Sequence, residues 1–304
     1  MKKSYFINPD ENRLRAGWRI FLFLVAMFLI AIIVNGVVKL AGGPPADETF
    51  SWVLRGIIVI INATLVVWIL RRYIDKKSFV SLGLKFDSLG ILDVLVGIIL
   101  SGLMVGIVFV VLLSFGLLEI EEVGWTGSGI SPIFGIILWF FGIGAAVAWS
   151  EELAFRGYLL QNMSEGIGLV WAVTISCIFY GVIHMLNPNS TWLSGVLIAL
   201  IGVLRIFGWL RSSQLWLSMG MHAGWNFFQG PIFGFQVSGL STESLIKQTV
   251  IGPDWITGGS FGPEAGIVVV PVVLLALLVM FLWTSKRKNT PWILHSKKGI
   301  LTKE

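Results

Sequence analysis

The sequence predicts an all-α membrane protein, a bundle of about eight transmembrane helices with both termini in the cytosol. Three observations predict it. The 304-residue chain is 56% hydrophobic and 13% charged, with a mean hydropathy of +0.85, whereas a soluble domain is roughly 25% charged. Its apolar residues gather into runs near the ~20 residues needed to cross about 30 Å of hydrocarbon. Its Lys and Arg gather on one set of connections and not on the other, as the positive-inside rule requires of a multi-pass protein.

The runs read as spans at 17–41, 52–70, 90–117, 137–163, 169–186, 192–210, 213–230 and 265–284. The first follows Lys2, Lys3, Arg13, Arg15 and Arg19. It is too long for a signal-peptide core and has no small-x-small exit, so it reads as a span. The fourth carries charges in its middle. Ending it at Trp149 would leave Leu153, Phe155, Tyr158, Leu159 and Leu160 unexplained, and extending it to Met163 absorbs them. Residues 79–86 mix apolar residues with Ser and Lys and read as an interfacial segment. The Gly-rich connection 231–264 is expected outside, with no structure specified by its pattern.

Basic residues precede span 1, follow span 2 (Arg71, Arg72, Lys76, Lys77, Lys85) and follow span 8 (Lys286, Arg287, Lys288). Connections 1–2 and 3–4 are acidic instead (Asp47, Glu48; Glu119, Glu121, Glu122). Hence the expected cytosolic termini, and a multi-pass protein of the cell membrane. The +5 charge lies in connections and tails without interleaved aromatics, which points to lipid contact and to no nucleic acid. Cys177, the one cysteine, excludes an internal disulfide and reads as a small buried hydrophobe. The expectation is a single integral-membrane domain over 1–304, a chemical core at about 130–230 and a basic cytosolic tail at 285–304.

Glu151, Glu152 and Arg156 stand between two uncharged stretches, 135–149 and 169–185. A charge at bilayer depth costs several kcal/mol unless it is paired or faces water. At about 1.5 Å per residue, Glu151 lies roughly 20 Å above the 164–168 turn and His184 roughly 22 Å above it. His222 and Asn226 lie about 15 and 20 Å above the 211–213 turn. Three helices thus bring polar groups to one layer. His222 and Asn226 share a helix face, and Glu152 and Arg156 have the i,i+4 order that favours an ion pair. Glu151 is offset by about 100° and is free to face a cavity. Singly, each has a plainer role: a clamp for Glu152–Arg156, packing for a histidine, interhelical glue for Asn226. Together they suit water activation, with Glu151 as base, imidazoles to orient water or stabilise an oxyanion, and an amide donor. Glu151, His184 and His222 are equally a candidate set for a divalent metal such as zinc, although no H-E-x-x-H is present.

Ser150–Gly157 (S-E-E-L-A-F-R-G) resembles an E-E-x-x-x-R motif, Tyr180–His184 (Y-G-V-I-H) an F-x-x-x-H motif, and His222–Asn226 (H-A-G-W-N) an H-x-x-x-N/D motif. Their order and spacing resemble the CPBP (CAAX protease and bacteriocin-processing, Abi) family of intramembrane proteases, relatives of the type II CAAX prenyl protease. The flanks Arg15–Arg19 (R-A-G-W-R) and Ser81–Leu84 (S-L-G-L) agree. The resemblance implies an eight-helix fold with a cavity open toward the cytosol and hydrolysis of a peptide bond in a membrane-associated or lipidated peptide. On the matching positions it implies that Glu151 and His184 activate water and that His222 and Asn226 stabilise the oxyanion, with or without metal. Tyr180 departs from the family's usual Phe and lines the expected cavity. Two other classes remain in view. One is a non-catalytic bacteriocin-immunity factor or regulatory membrane scaffold. The other is a proton-coupled transporter, which the lack of an internal repeat disfavours.

Overall fold

The computed structural model describes residues 5–287 apart from 10, 41, 43–47 and 128–130; Asp47 and all of the expected basic tail beyond Arg287 lie outside the described residues. Strands β1 (Ile7–Asn8) and β2 (Arg13–Leu14) lead into α1 (Ala16–Leu40). Helix α2 (Glu48–Ile69) returns and ends in a π-helical turn, Leu70–Ile74. Then come α3 (Ser88–Ser114), β3 (Leu118–Val123) and a long helix α4 (Pro132–Ile167). Helices α5 (Leu169–His184), α6 (Trp192–Ser212) and α7 (Trp216–Phe227) follow, then β4 (Ile246–Val250) and α8 (Val269–Thr284). Among the described residues, α1, residues 53–74, α3, α4 and α6 are long and apolar enough to cross a membrane, and α5 and α8 are apolar but 16 residues each. The chain is a predominantly helical membrane protein.

Local chemistry sets the helix boundaries. The Asp87 carboxylate accepts the Gly90 N–H at 2.9 Å and caps α3. Ser131 caps α4, with Pro132 at the first helical position where its missing N–H costs nothing. Thr191 and Ser194 form a reciprocal cap on α6. Gly168, at φ +83°, makes the tight turn from α4 to α5.

Short strands accompany the helices. Two ribbons are present among the described residues, β1–β2 and β3–β4, both antiparallel. Leu118–Val123 alternates in part between apolar and acidic residues, and Ile246–Val250 mixes β-branched with polar ones, a half-exposed strand pattern. Their pairing joins the connection before α4 to the one before α8, so the 231–264 segment is ordered by a partner more than a hundred residues away in sequence.

Small residues let the helices that carry the polar groups approach closely. On α7, a Cβ at Gly220 would lie 2.3 Å from the Val94 carbonyl oxygen, and one at Gly224 2.7 Å from the Ile98 Cα, so α7 lies directly on α3. His222 and Asn226, two residues on from each glycine, point about 200° away from that contact. Between α5 and α6, a Cβ at Gly181 would lie 2.2 Å from the Gly195 carbonyl oxygen. Two apolar cores result. One holds Val105, Val108, Leu217, Trp225 and α8; the other holds Leu153, Tyr158, Leu160, Trp209, Leu215 and the buried Cys177.

Candidate active site

Glu151 and Glu152 sit where α4 changes its winding. The α-helical segment ends at Glu151 and a π-helical stretch runs Glu152–Leu159. Such stretches are rare and concentrate at functional sites. The two carboxylates go different ways. The Glu152 side chain is 0% exposed and that of Glu151 is 27% exposed.

Glu152 is the hub of a buried cluster. Its Oε1 accepts from Arg156 Nη1 at 3.3 Å and lies 3.0 Å from His222 Nδ1 and 3.8 Å from Arg205 Nη1. A carboxylate only accepts, so His222 Nδ1 carries the proton of that bond. A neutral His222 then presents an unprotonated Nε2 on its other side, 3.9 Å from Glu151 Oε2. Glu151 Oε2 also accepts the Tyr180 hydroxyl at 2.7 Å, and that hydroxyl accepts from Arg205 Nη1 at 2.5 Å. The Arg156 guanidinium lies 4.3 Å over the Tyr180 ring. His184 packs against the same ring at 4.3 Å and directs Nδ1 to the Tyr180 carbonyl oxygen at 2.8 Å.

These groups border a cavity of about 270 Å³ lined by Glu151, Tyr180, His184, Arg205, His222 and Asn226. Glu152 and Arg156 lie behind it. Glu151 bonds Tyr180 and has His222 at 3.9 Å, while His184 stands at the end of α5 against the Tyr180 ring. The cavity continues outward past Trp139 and Phe227 to Val237, Leu240 and Thr242 of the 231–264 connection. Glu264 closes that connection. It accepts the Ser238 N–H and hydroxyl, each at 2.7 Å, and Trp225 Nε1 at 2.8 Å.

The cavity's position separates two expectations that the sequence reading held together. The cavity occupies the half of the bundle that ends in the 231–264 connection, while the N-terminal segment and Arg287 lie at the other end. Cytosolic termini and a cavity open to the cytosol are therefore incompatible in this structure.

A metal needs convergent ligands within about 2.0–2.2 Å. Among the described residues no three His, Cys, Asp or Glu side chains come together in a way that could hold one. His222 holds Nδ1 against Glu152 and His184 holds Nδ1 against a carbonyl, which leaves the Nε2 of each as its uncommitted nitrogen.

Arg205 is the member that the motifs did not indicate. Its sequence signal is a lone cation in the first eighteen residues of the 192–210 run, where an unpaired charge is costly.

Residues 132–228, about a third of the chain, match the family model described as Type II CAAX prenyl endopeptidase Rce1-like. The match spans every motif from Glu151 to Asn226 and includes Arg205. It bears out the resemblance read from those motifs. No curated protein matches the chain.

Proposed function

We propose that the chain is an intramembrane endopeptidase of the CAAX-protease type, resident in the cell membrane, that hydrolyses a peptide bond of a membrane-associated or lipidated peptide. The observation that carries this reading is the pairing of Glu151 with His222 Nε2 across 3.9 Å at the floor of the cavity. One water can contact both atoms. Glu151 takes a proton from it as general base, and the imidazole nitrogen fixes its orientation. The water oxygen attacks the carbonyl carbon, and the carbonyl oxygen gains charge. The amide of Asn226, on the cavity wall, supplies a donor for that oxygen. The C–N bond then breaks, and the proton held by Glu151 passes to the leaving amine.

The remaining residues position these. Glu152 fixes the His222 tautomer. Arg156 balances Glu152, and Arg205 with Tyr180 holds Glu151 at one rotamer. Charge balance supports the same reading: the two carboxylates are compensated inside the bundle by Arg156 and Arg205. His184 borders the cavity beside Tyr180 and is placed to contact substrate. The mechanism draws its nucleophile from water and these side chains alone.

The test is cleavage of a quenched, acylated peptide by the purified protein in liposomes, with Glu151→Gln as control. The expected result is cleavage that the variant lacks and that a strong chelator leaves intact. Full activity in Glu151→Gln ends the reading.

A further inference from the structure

The two ends of the bundle differ in basic charge. At one end stand Arg13, Arg15 and Arg19, the five basic residues of 71–85, Arg211, Lys286 and Arg287. Contacts gather them there: Glu165 joins Arg13, Arg19 and Lys77, and Asp93 joins Arg287. The opposite end has Lys39, Arg55 and Lys247 among the described residues. Orientation follows Lys and Arg near the span ends, and acidic residues count little. The end with Arg13, Arg71 and Arg211 is therefore the cytosolic one.

The cavity lies in the other half. Besides Glu151, Arg205 and His222 its lining includes Trp139, Asn187, Val237 and Thr242, which belong to the half of the bundle that ends in the 185–191 and 231–264 connections. Toward the basic end the way is filled. Leu153, Tyr158, Leu160 and Leu215 are each 0% exposed and Trp209 is 1% exposed. Beyond them lies the buried ionic cluster of Arg19, Arg71, Asp75 and Glu165.

We infer that the site receives its substrate from the side of the membrane opposite the cytosol. The substrate class is then an exported or membrane-anchored polypeptide whose scissile bond lies on that side, and not a protein lipidated and processed in the cytosol. The lining on that side, with Val237, Leu240, Asn187 and Thr242, suits an uncharged extended segment. Glu264, the carboxylate at that level, is already committed to Ser238 and Trp225. The substrate class rests on the proteolytic reading of the site; the sidedness does not.

Two measurements on the full chain separate them. Cys177 is buried and is the only native cysteine. Exposed positions Ser241 and Lys76 mark the two ends. In intact cells a charged, membrane-impermeant maleimide should label Ser241→Cys as fully as after permeabilisation, and label Lys76→Cys only after it. The reverse pattern overturns the inference. Separately, a quenched acylated peptide that cannot cross the bilayer is offered to right-side-out and inside-out vesicles, with Glu151→Gln as control. Cleavage confined to right-side-out vesicles supports the substrate class. Cleavage confined to inside-out vesicles overturns it while keeping the protease. Absence of Glu151-dependent cleavage in both removes the protease, and the maleimide pattern still decides sidedness.

Discussion

Two buried ionic clusters lie on the same long helix, and they differ in what they leave uncommitted. Near the basic end, Glu165 accepts from Arg13 and Arg19 at 2.9 Å and from Lys77 at 2.6 Å. Asp75 holds Arg71 at 3.0 Å and accepts from Tyr158 at 3.2 Å and Asn162 at 3.3 Å. Cations converge on two carboxylates, and the cluster ties α1, the turn after α2 and the end of α4 together. Near mid-helix, Glu152 is enclosed in the same manner by Arg156, Arg205 and His222. Glu151 is not: one of its oxygens faces Tyr180 and His222, and its side chain reaches a cavity. Burial and charge are common to both regions. Glu11, paired to Arg13, also reaches water from the basic cluster, but only Glu151 faces a lined cavity beside a histidine, and that marks a site apart from a clamp.

The comparison breaks most sharply on paired substitutions. Glu151→Gln should lower the cleavage rate by about 10²–10⁴, the usual worth of a general base, with unchanged thermal stability. Glu165→Gln should do the opposite. It removes the carboxylate that Arg13, Arg19 and Lys77 share and leaves Arg13 to Glu11 and Arg19 to Asp75, so it should cost about 1.5–3 kcal/mol of stability, the worth of hydrogen bonds to a charged group, with normal cleavage per folded molecule. A thermal melt and a rate on each variant read both effects; if Glu165→Gln lowers the rate without lowering stability, the clamp is not merely a clamp.

A smaller effect is expected at Tyr180. Its hydroxyl links Glu151 to Arg205, and a hydrogen bond to a charged group is worth roughly 1.5–3 kcal/mol. Tyr180→Phe should therefore slow cleavage by about tenfold or more without unfolding the protein. An unchanged rate would make the link a packing detail of this chain.

The smallest effect sharpens the contrast from outside the membrane. On the β3–β4 ribbon, the hydrogen bond from Thr249 and the neighbouring Lys247 ammonium hold the Glu121 carboxyl below its ordinary 4.5. A depressed carboxylate stabilises the fold above its unfolded value, and the contribution disappears as pH falls through the folded one. Glu121→Gln should thus melt slightly below the unchanged protein at about pH 7 and together with it once pH falls well below 4.5. A gap that persists in acid would show that the pair acts through something other than charge.

Much of this was legible in the chain because it is local. Apolar length gave the helices, and the i,i+4 spacing gave the Glu152–Arg156 pair, because both follow from one helix at a time. The relation of one helix to another was not. Arg205 has partners on α4 and α5, and no spacing rule within α6 points to Tyr180 or Glu152. The ribbon β3–β4 joins Glu121 to Thr249, and neither segment has a hairpin partner nearby to announce it. Depth along a helix could be estimated, but not which half of the bundle stays open. That depends on where bulky side chains such as Tyr158 and Trp209 close the interior.

That closure has an electrical consequence. Moving one elementary charge across a membrane is worth about 2.3 kcal/mol per 100 mV, so a continuous water path beside Glu151 and His222 would discharge the gradient through a ready-made proton relay. Leu153, Tyr158, Leu160 and Trp209 leave the vestibule blind. Water can come to the carboxylate from one face and return to that face, and the bilayer remains an insulator around the site.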